Sequence, residues 1–132
     1  NSEHLERHKH ADLFIDTFNY NAHTTGNEAL WTGLPVVTKM GKQFAARVAA
    51  SLLSAIGLSE LITETEADYE ALILKLALNP DTLSAVKEKL DANRLTQPLF
   101  DSKRYTRNFE NGVQQAYDRY FEGRSPEDIW VD

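Results

Sequence analysis

His23, Thr24 and Thr25 stand side by side immediately before Gly26, and Glu28 follows three residues after Thr25. An imidazole and two hydroxyls are thus gathered where an apolar, helix-forming run begins. Free amides and the positive end of the helix macrodipole favour an anion at such a point, so the chemistry this cluster can do is to hold a phosphate or diphosphate. The plainer alternative is capping: a threonine oxygen accepts from the N2 or N3 amide, and Thr25 with Glu28 has the spacing of a capping box. Capping accounts for one threonine but not for the whole cluster. Glu28 also carries two readings, a carboxylate accepting from the paired hydroxyls of a ribose or an acid stabilised in the first turn of a helix.

Other chemistries find less support. In "HLERHKH", His4 and His8 are four apart and share one face of a helix, but no third metal ligand follows at a regular spacing, and His10 points to another side. An exposed polar helix is the plain reading, with base stacking by one histidine as the sharper one. No G-x-S-x-G elbow, phosphate-binding G-x-x-x-x-G-K-[ST] loop or G-x-G-x-x-G fingerprint occurs, which removes the usual signatures of a serine hydrolase, a P-loop ATPase or a dinucleotide-dependent dehydrogenase. Cysteine is absent, so neither a disulfide nor a thiolate metal site can form.

The elements that must position the cluster are readable around it. "LFI" at 13–15 is buried-strand material, 17–23 is an Asn- and aromatic-rich loop, a short helix starts at Thr24 or Thr25 and stops at Gly33 and Pro35, and "PVVT" makes a second strand. Strand, loop, helix and parallel strand form the simplest βαβ unit. Residues 43–56 predict one nearly apolar helix ended by Gly57. "LSELI" predicts a third short strand, and two amphipathic helices follow, the second with Pro80 in its first turn. From about Ser102 to Glu122, Tyr105, Phe109, Val113, Ala116, Tyr117 and Tyr120 form a stripe, for which ordinary core packing is the expected role and partner docking the alternative.

With 132 residues, a formal net charge of -6 and 42% hydrophobic residues, the chain reads as one soluble domain, 1–132. The acidic balance argues against binding a phosphate backbone, so no nucleic-acid partner is expected. No run approaches the roughly 18–20 apolar residues that span a bilayer, and no membrane partner and a cytoplasmic location are expected. Two or three strands are too few for a complete parallel sheet of this type, normally about five or six. The chain, which does not begin with Met, is read as part of a larger α/β protein. Its uncovered strand edge favours self-association when it is isolated.

The stretches "ADLFIDTFNYNAHTTGNEALWTGLPVVT", "FAARVAASLLSAIGLSELI", "DYEALILKLA" and "LTQPLFDSKRYTRNFE" resemble, in unbroken order, the C-terminal catalytic half-domain of the protein O-GlcNAc transferase family. Complete members join TPR repeats to a GT-B glycosyltransferase. The resemblance implies an α/β, Rossmann-like half of a GT-B enzyme with an incomplete parallel sheet and several helices. It also implies a donor-binding role in moving GlcNAc from UDP-GlcNAc to Ser or Thr hydroxyls, by an inverting transfer with no cofactor and no metal. It assigns His23, Thr24 and Thr25 to the diphosphate, Glu28 to the ribose, His4 to the uracil face, and Arg7 to the same donor site. The proposed base and the TPR region that binds the acceptor protein belong to the missing N-terminal portion, so the isolated chain is expected to be inactive. Ala22 replaces the glycine that precedes this histidine in many relatives, and "KMGK" at 39–42 replaces "MPGE", adding positive charge near the donor mouth. A transferase using another donor, such as a GDP-sugar, and a non-enzymatic interaction module are the alternatives.

Overall fold

Val36, Val37 and Thr38 are each buried, and strand β2 (Val36–Lys39) is the centre of the sheet for that reason: a strand covered on both faces is a run of β-branched residues without polar alternation. The structure is a computed structural model and describes residues 2–131, without the side chain of Ser2. Strands β1 (Phe14–Ile15) and β3 (Ile62–Thr63) lie on either side of β2, both parallel to it, in the order β1-β2-β3. Phe14 is in register with Val36, and Thr38 with Ile62. The expected α/β arrangement with a short parallel sheet is what the chain forms.

Helices α1 (Ser2–Arg7), α2 (Thr24–Trp31), α3 (Val48–Ala55), α4 (Glu66–Leu78) and α5 (Pro80–Arg94) complete the first of two compact units, Asn1–Leu99. Every buried side chain among the described residues lies in this unit, with Leu30, Val37, Leu53, Ile56, Leu76 and Leu90 at its centre. Turn chemistry agrees with the sequence at several points. Gly33 and Gly57 end α2 and α3 with positive φ, Thr65 caps α4 through the Asp68 amide at 3.1 Å, and Pro80 opens α5 where its missing N–H costs nothing. Asn93 on α5 donates to the Ile56 carbonyl at 2.8 Å, satisfying an otherwise unpaired carbonyl at the C-terminal end of α3.

The single helix expected over 43–56 is divided. A 3₁₀ turn at Phe44–Ala46 precedes α3, and Phe44, within the stretch expected to be an apolar helix, is 82% exposed. The cause is competition for carbonyls: Asn21 N–H donates to Ala45 O at 2.8 Å and Gly41 N–H to Ala46 O at 2.7 Å. Those oxygens would otherwise start the helical ladder. The Ala49 amide turns to the Asn21 side chain instead.

Tyr69 of α4 is buried and donates its hydroxyl to the Asp16 carbonyl at 2.6 Å, tying α4 to the end of β1. Burial, with a smaller contribution from the charge of Asp16, raises the phenol above its ordinary 10.0. A raised folded-state value means that the stabilisation is complete below the unfolded value and is lost as pH rises through the folded one. Alkaline titration of stability is therefore expected to show a fall above about pH 10, smaller in Tyr69→Phe, with denaturant midpoints as the measurement.

The second unit, Phe100–Asp132, is built on α6 (Ser102–Phe121), which Asp101 caps through the Arg104 amide at 3.0 Å. The tail turns back at Gly123, where Arg119 donates to the Ser125 carbonyl and pairs with Glu127. The aromatic stripe forms as spaced, with Tyr105 stacked on Phe109 and Tyr117 against Phe121. Its expected role as core is corrected: Tyr105, Phe109, Val113, Tyr117 and Tyr120 are all exposed, and no residue of α6 is buried.

Candidate functional site

The site is built outward from Asp16, at the carboxyl end of β1, where ligands bind in open parallel sheets. Its buried carboxylate accepts the Ala22 amide on one oxygen and the Thr38 hydroxyl on the other, each at 2.7 Å. One side chain thus fixes the end of β1, the middle of β2 and the last residue before His23. Buried Asn21 closes the loop from within, donating to the Thr17 carbonyl at 2.8 Å. A third restraint comes from Gly41: a Cβ there would lie 2.5 Å from the Ala46 Cβ, so only glycine lets the 40–47 turn close against the loop.

These restraints deliver His23 to the N-terminus of α2. Its ring is stacked on Tyr20, with centroids 4.6 Å apart and planes at 13°, and meets the edge of Phe44 at 6.2 Å. His23 Nε2 is buried without a hydrogen-bond partner, the single side-chain polar atom in that condition among the described residues. Such an atom costs about 1–3 kcal/mol, and this one lies at the helix end where an anion is most favoured. The capping reading is corrected here. His23 itself is the N-cap residue and no side chain caps the helix, while Thr24 and Thr25 occupy the first turn and are exposed. The expected Thr25–Glu28 box does not form, because both residues are already inside the helix.

Glu28 lies one turn further, on the same helical side as Thr24 and Thr25, and its carboxylate is 3.2 Å from His4 Nε2. The structure therefore joins His4 to Glu28 across two elements distant in sequence. His8, next on the same face of the N-terminal segment, meets His4 edge to face at 5.2 Å and reaches Thr32 with Nδ1 at 3.1 Å. The two histidines that suggested a metal site engage Glu28 of α2 and Thr32 at its C-cap instead, and no group of three potential ligands that could hold a metal occurs among the described residues. Arg7 stands apart, 3.7 Å from Glu3 with both side chains well exposed. Sequence reading missed Asp16, Asn21, Tyr20 and Phe44. An aspartate following "LFI" and the repeated Asn of "TFNYN" were the available signals.

A family model described as Glycosyl transferase family 41 matches residues 1–109. The chain belongs to glycosyl transferase family 41. This family 41 chain is 39% identical over 131 residues to a probable UDP-N-acetylglucosamine–peptide N-acetylglucosaminyltransferase of Arabidopsis thaliana, covering 98% of this chain and 13% of that protein. It is 38% identical over 121 residues to the UDP-N-acetylglucosamine–peptide N-acetylglucosaminyltransferase of Caenorhabditis elegans, covering 92% and 10% respectively. Among solved structures, a variant of the Thermobaculum terrenum O-GlcNAc transferase superposes with a TM-score of 0.82 at 32% identity, over 87% of this chain and 22% of that one. The family 41 chain thus spans about a tenth to an eighth of the curated relatives named here. No helix among the described residues is long and apolar enough to cross a membrane.

Proposed function

We propose that this chain is the donor-binding part of a protein O-GlcNAc transferase, holding UDP-GlcNAc at the N-terminus of α2 while a Ser or Thr hydroxyl of an acceptor protein is glycosylated. The observation that carries the reading is the buried, unpartnered His23 Nε2 at an uncapped helix end. In this reading the imidazole, the first-turn amides and the hydroxyls of Thr24 and Thr25, which neighbour one another at the start of α2, are the donors offered to the diphosphate. As the glycosidic bond breaks, negative charge accumulates on the departing UDP, and donors already fixed in place stabilise that charge without reorganising. Glu28 accepts from the ribose hydroxyls, with His4 beside it at the nucleobase. Arg7 joins the site by a rotamer change away from Glu3. The transfer is read as inverting and metal-independent. The base and the acceptor-binding TPR region belong to the longer cytoplasmic protein.

Calorimetric titration of the full-length protein with UDP, GDP and UDP-GlcNAc tests this. UDP and UDP-GlcNAc should bind more tightly than GDP, and Glu28→Gln should weaken UDP about 5- to 20-fold, the worth of a charge-assisted hydrogen bond. Equal binding of GDP would favour a different donor. Failure of all three nucleotides would favour an interaction module, a second reading that draws on the exposed aromatic face of α6.

A further inference from the structure

Two contacts join the N-terminal segment to α2, and they have matching spacing. His4 meets Glu28 and, four residues on, His8 meets Thr32, itself four residues after Glu28. The proton positions in this ladder follow from the hydroxyl of Thr32. That hydroxyl lies 3.0 Å from the Glu28 carbonyl and 2.9 Å from the Ala29 carbonyl, and with two acceptors on the helix side its one hydrogen is assigned there. The Thr32 oxygen is then left as an acceptor, so His8 Nδ1 carries the hydrogen of the 3.1 Å contact. His8 is half-buried and held at that end, and its ring lies against the His4 ring at 74°, centroids 5.2 Å apart. The His4 ring is thereby limited in rotation, with Nε2 directed at the Glu28 carboxylate 3.2 Å away.

We infer that His8 is a positioning residue for the nucleoside end of the donor site. It touches no part of the ligand in this reading. Anchored on Thr32, it fixes the plane of His4, so that an imidazole face and a carboxylate are already arranged for a base and its ribose before the nucleotide arrives. Preorganisation of this kind improves affinity by removing the cost of ordering a side chain on binding. The inference rests on the donor-site reading proposed above, and the test separates the two.

The experiment measures UDP affinity in the full-length protein for wild type, His4→Ala, His8→Ala, the double variant and Thr32→Val, with thermal midpoints recorded for each. His8→Ala is expected to weaken UDP about 3- to 10-fold in the wild-type background and by less than about 1.5-fold once His4 is alanine, the non-additivity of residues that act through one another. Thr32→Val, which keeps the volume and removes the acceptor, should reproduce most of the loss and should return His8 to the Nε2–H tautomer in histidine ¹⁵N spectra. Equal losses from His8→Ala in both backgrounds, or unchanged affinity in Thr32→Val, would overturn the positioning role while leaving the donor site intact. Unchanged affinity in His4→Ala and Glu28→Gln alike would overturn the donor-site reading and this inference with it.

Discussion

Replacing His23 by phenylalanine is expected to weaken UDP about 10- to 100-fold, roughly 1.4–2.8 kcal/mol, while leaving the folded protein as stable as before or slightly more so. The two effects have opposite signs because they come from different parts of one side chain. Phenylalanine keeps a flat ring to stack on Tyr20 and to meet Phe44. It removes Nε2, which is buried and unpartnered in the unliganded protein and so contributes only its desolvation cost. In the donor site proposed above, that same nitrogen is the group offered to the diphosphate, so its loss is expected to be felt only on binding. His23→Ala separates the contributions further, since it loses the ring contacts as well and should lower both affinity and thermal midpoint. Paired calorimetry and thermal unfolding on the two variants decide the matter. A phenylalanine variant that binds UDP normally would remove His23 from the diphosphate.

The second large effect is expected at Asp16. Asp16→Ala strands two donors held at 2.7 Å, the part-buried Ala22 amide and the buried Thr38 hydroxyl. At about 1–3 kcal/mol for each unsatisfied group, and with some relief from no longer burying a carboxylate, the net destabilisation is about 2–4 kcal/mol. That is a large share of the roughly 5–15 kcal/mol that keeps a domain folded. Asp16→Asn retains one acceptor, and the Thr38 hydroxyl can rotate to receive the new amide. The asparagine variant should therefore lose less than half as much. Urea midpoints that fail to rank wild type above asparagine above alanine would show that the loop is held by something other than Asp16. Nucleotide affinity should fall with the same ranking, because the residue that Asp16 restrains is the one preceding His23.

The contrast between these two positions explains what was legible in the sequence. The order of strands and helices could be read because it depends on local patterns: apolar runs for β1 and β2, glycines at 33 and 57, and Pro80 at a helix start. The cluster at 23–25 and Glu28 could be read from residue type and spacing alone. Two features were not available that way. The helix over 43–56 divides because Asn21 and Gly41 take the Ala45 and Ala46 carbonyls, an encounter of segments more than twenty residues apart for Asn21. The pairing of His4 with Glu28 is likewise a tertiary event, and periodicity within "HLERHKH" says nothing of what faces it. The stripe on α6 shows a third limit. Its spacing established one apolar face but not what covers it, and in this chain that face is exposed.

The loop from Thr17 to Ala22 is anchored at both ends and from inside, by Asp16 on the Ala22 amide and by Asn21 on the Thr17 carbonyl, whereas its outer members, Asn19 and Tyr20, face solvent. Shape and composition are thus separable in this stretch. The backbone course is set by the buried side chains of Asp16 and Asn21, and the outward surface by residues that carry little of the fold. Tyr20, 65% exposed and in contact with the His23 ring, can be exchanged for another planar or aliphatic side chain while the frame beneath it persists. On the donor-site proposal, a small library at positions 19 and 20 is the direct way to vary the outer face of this loop without disturbing its frame.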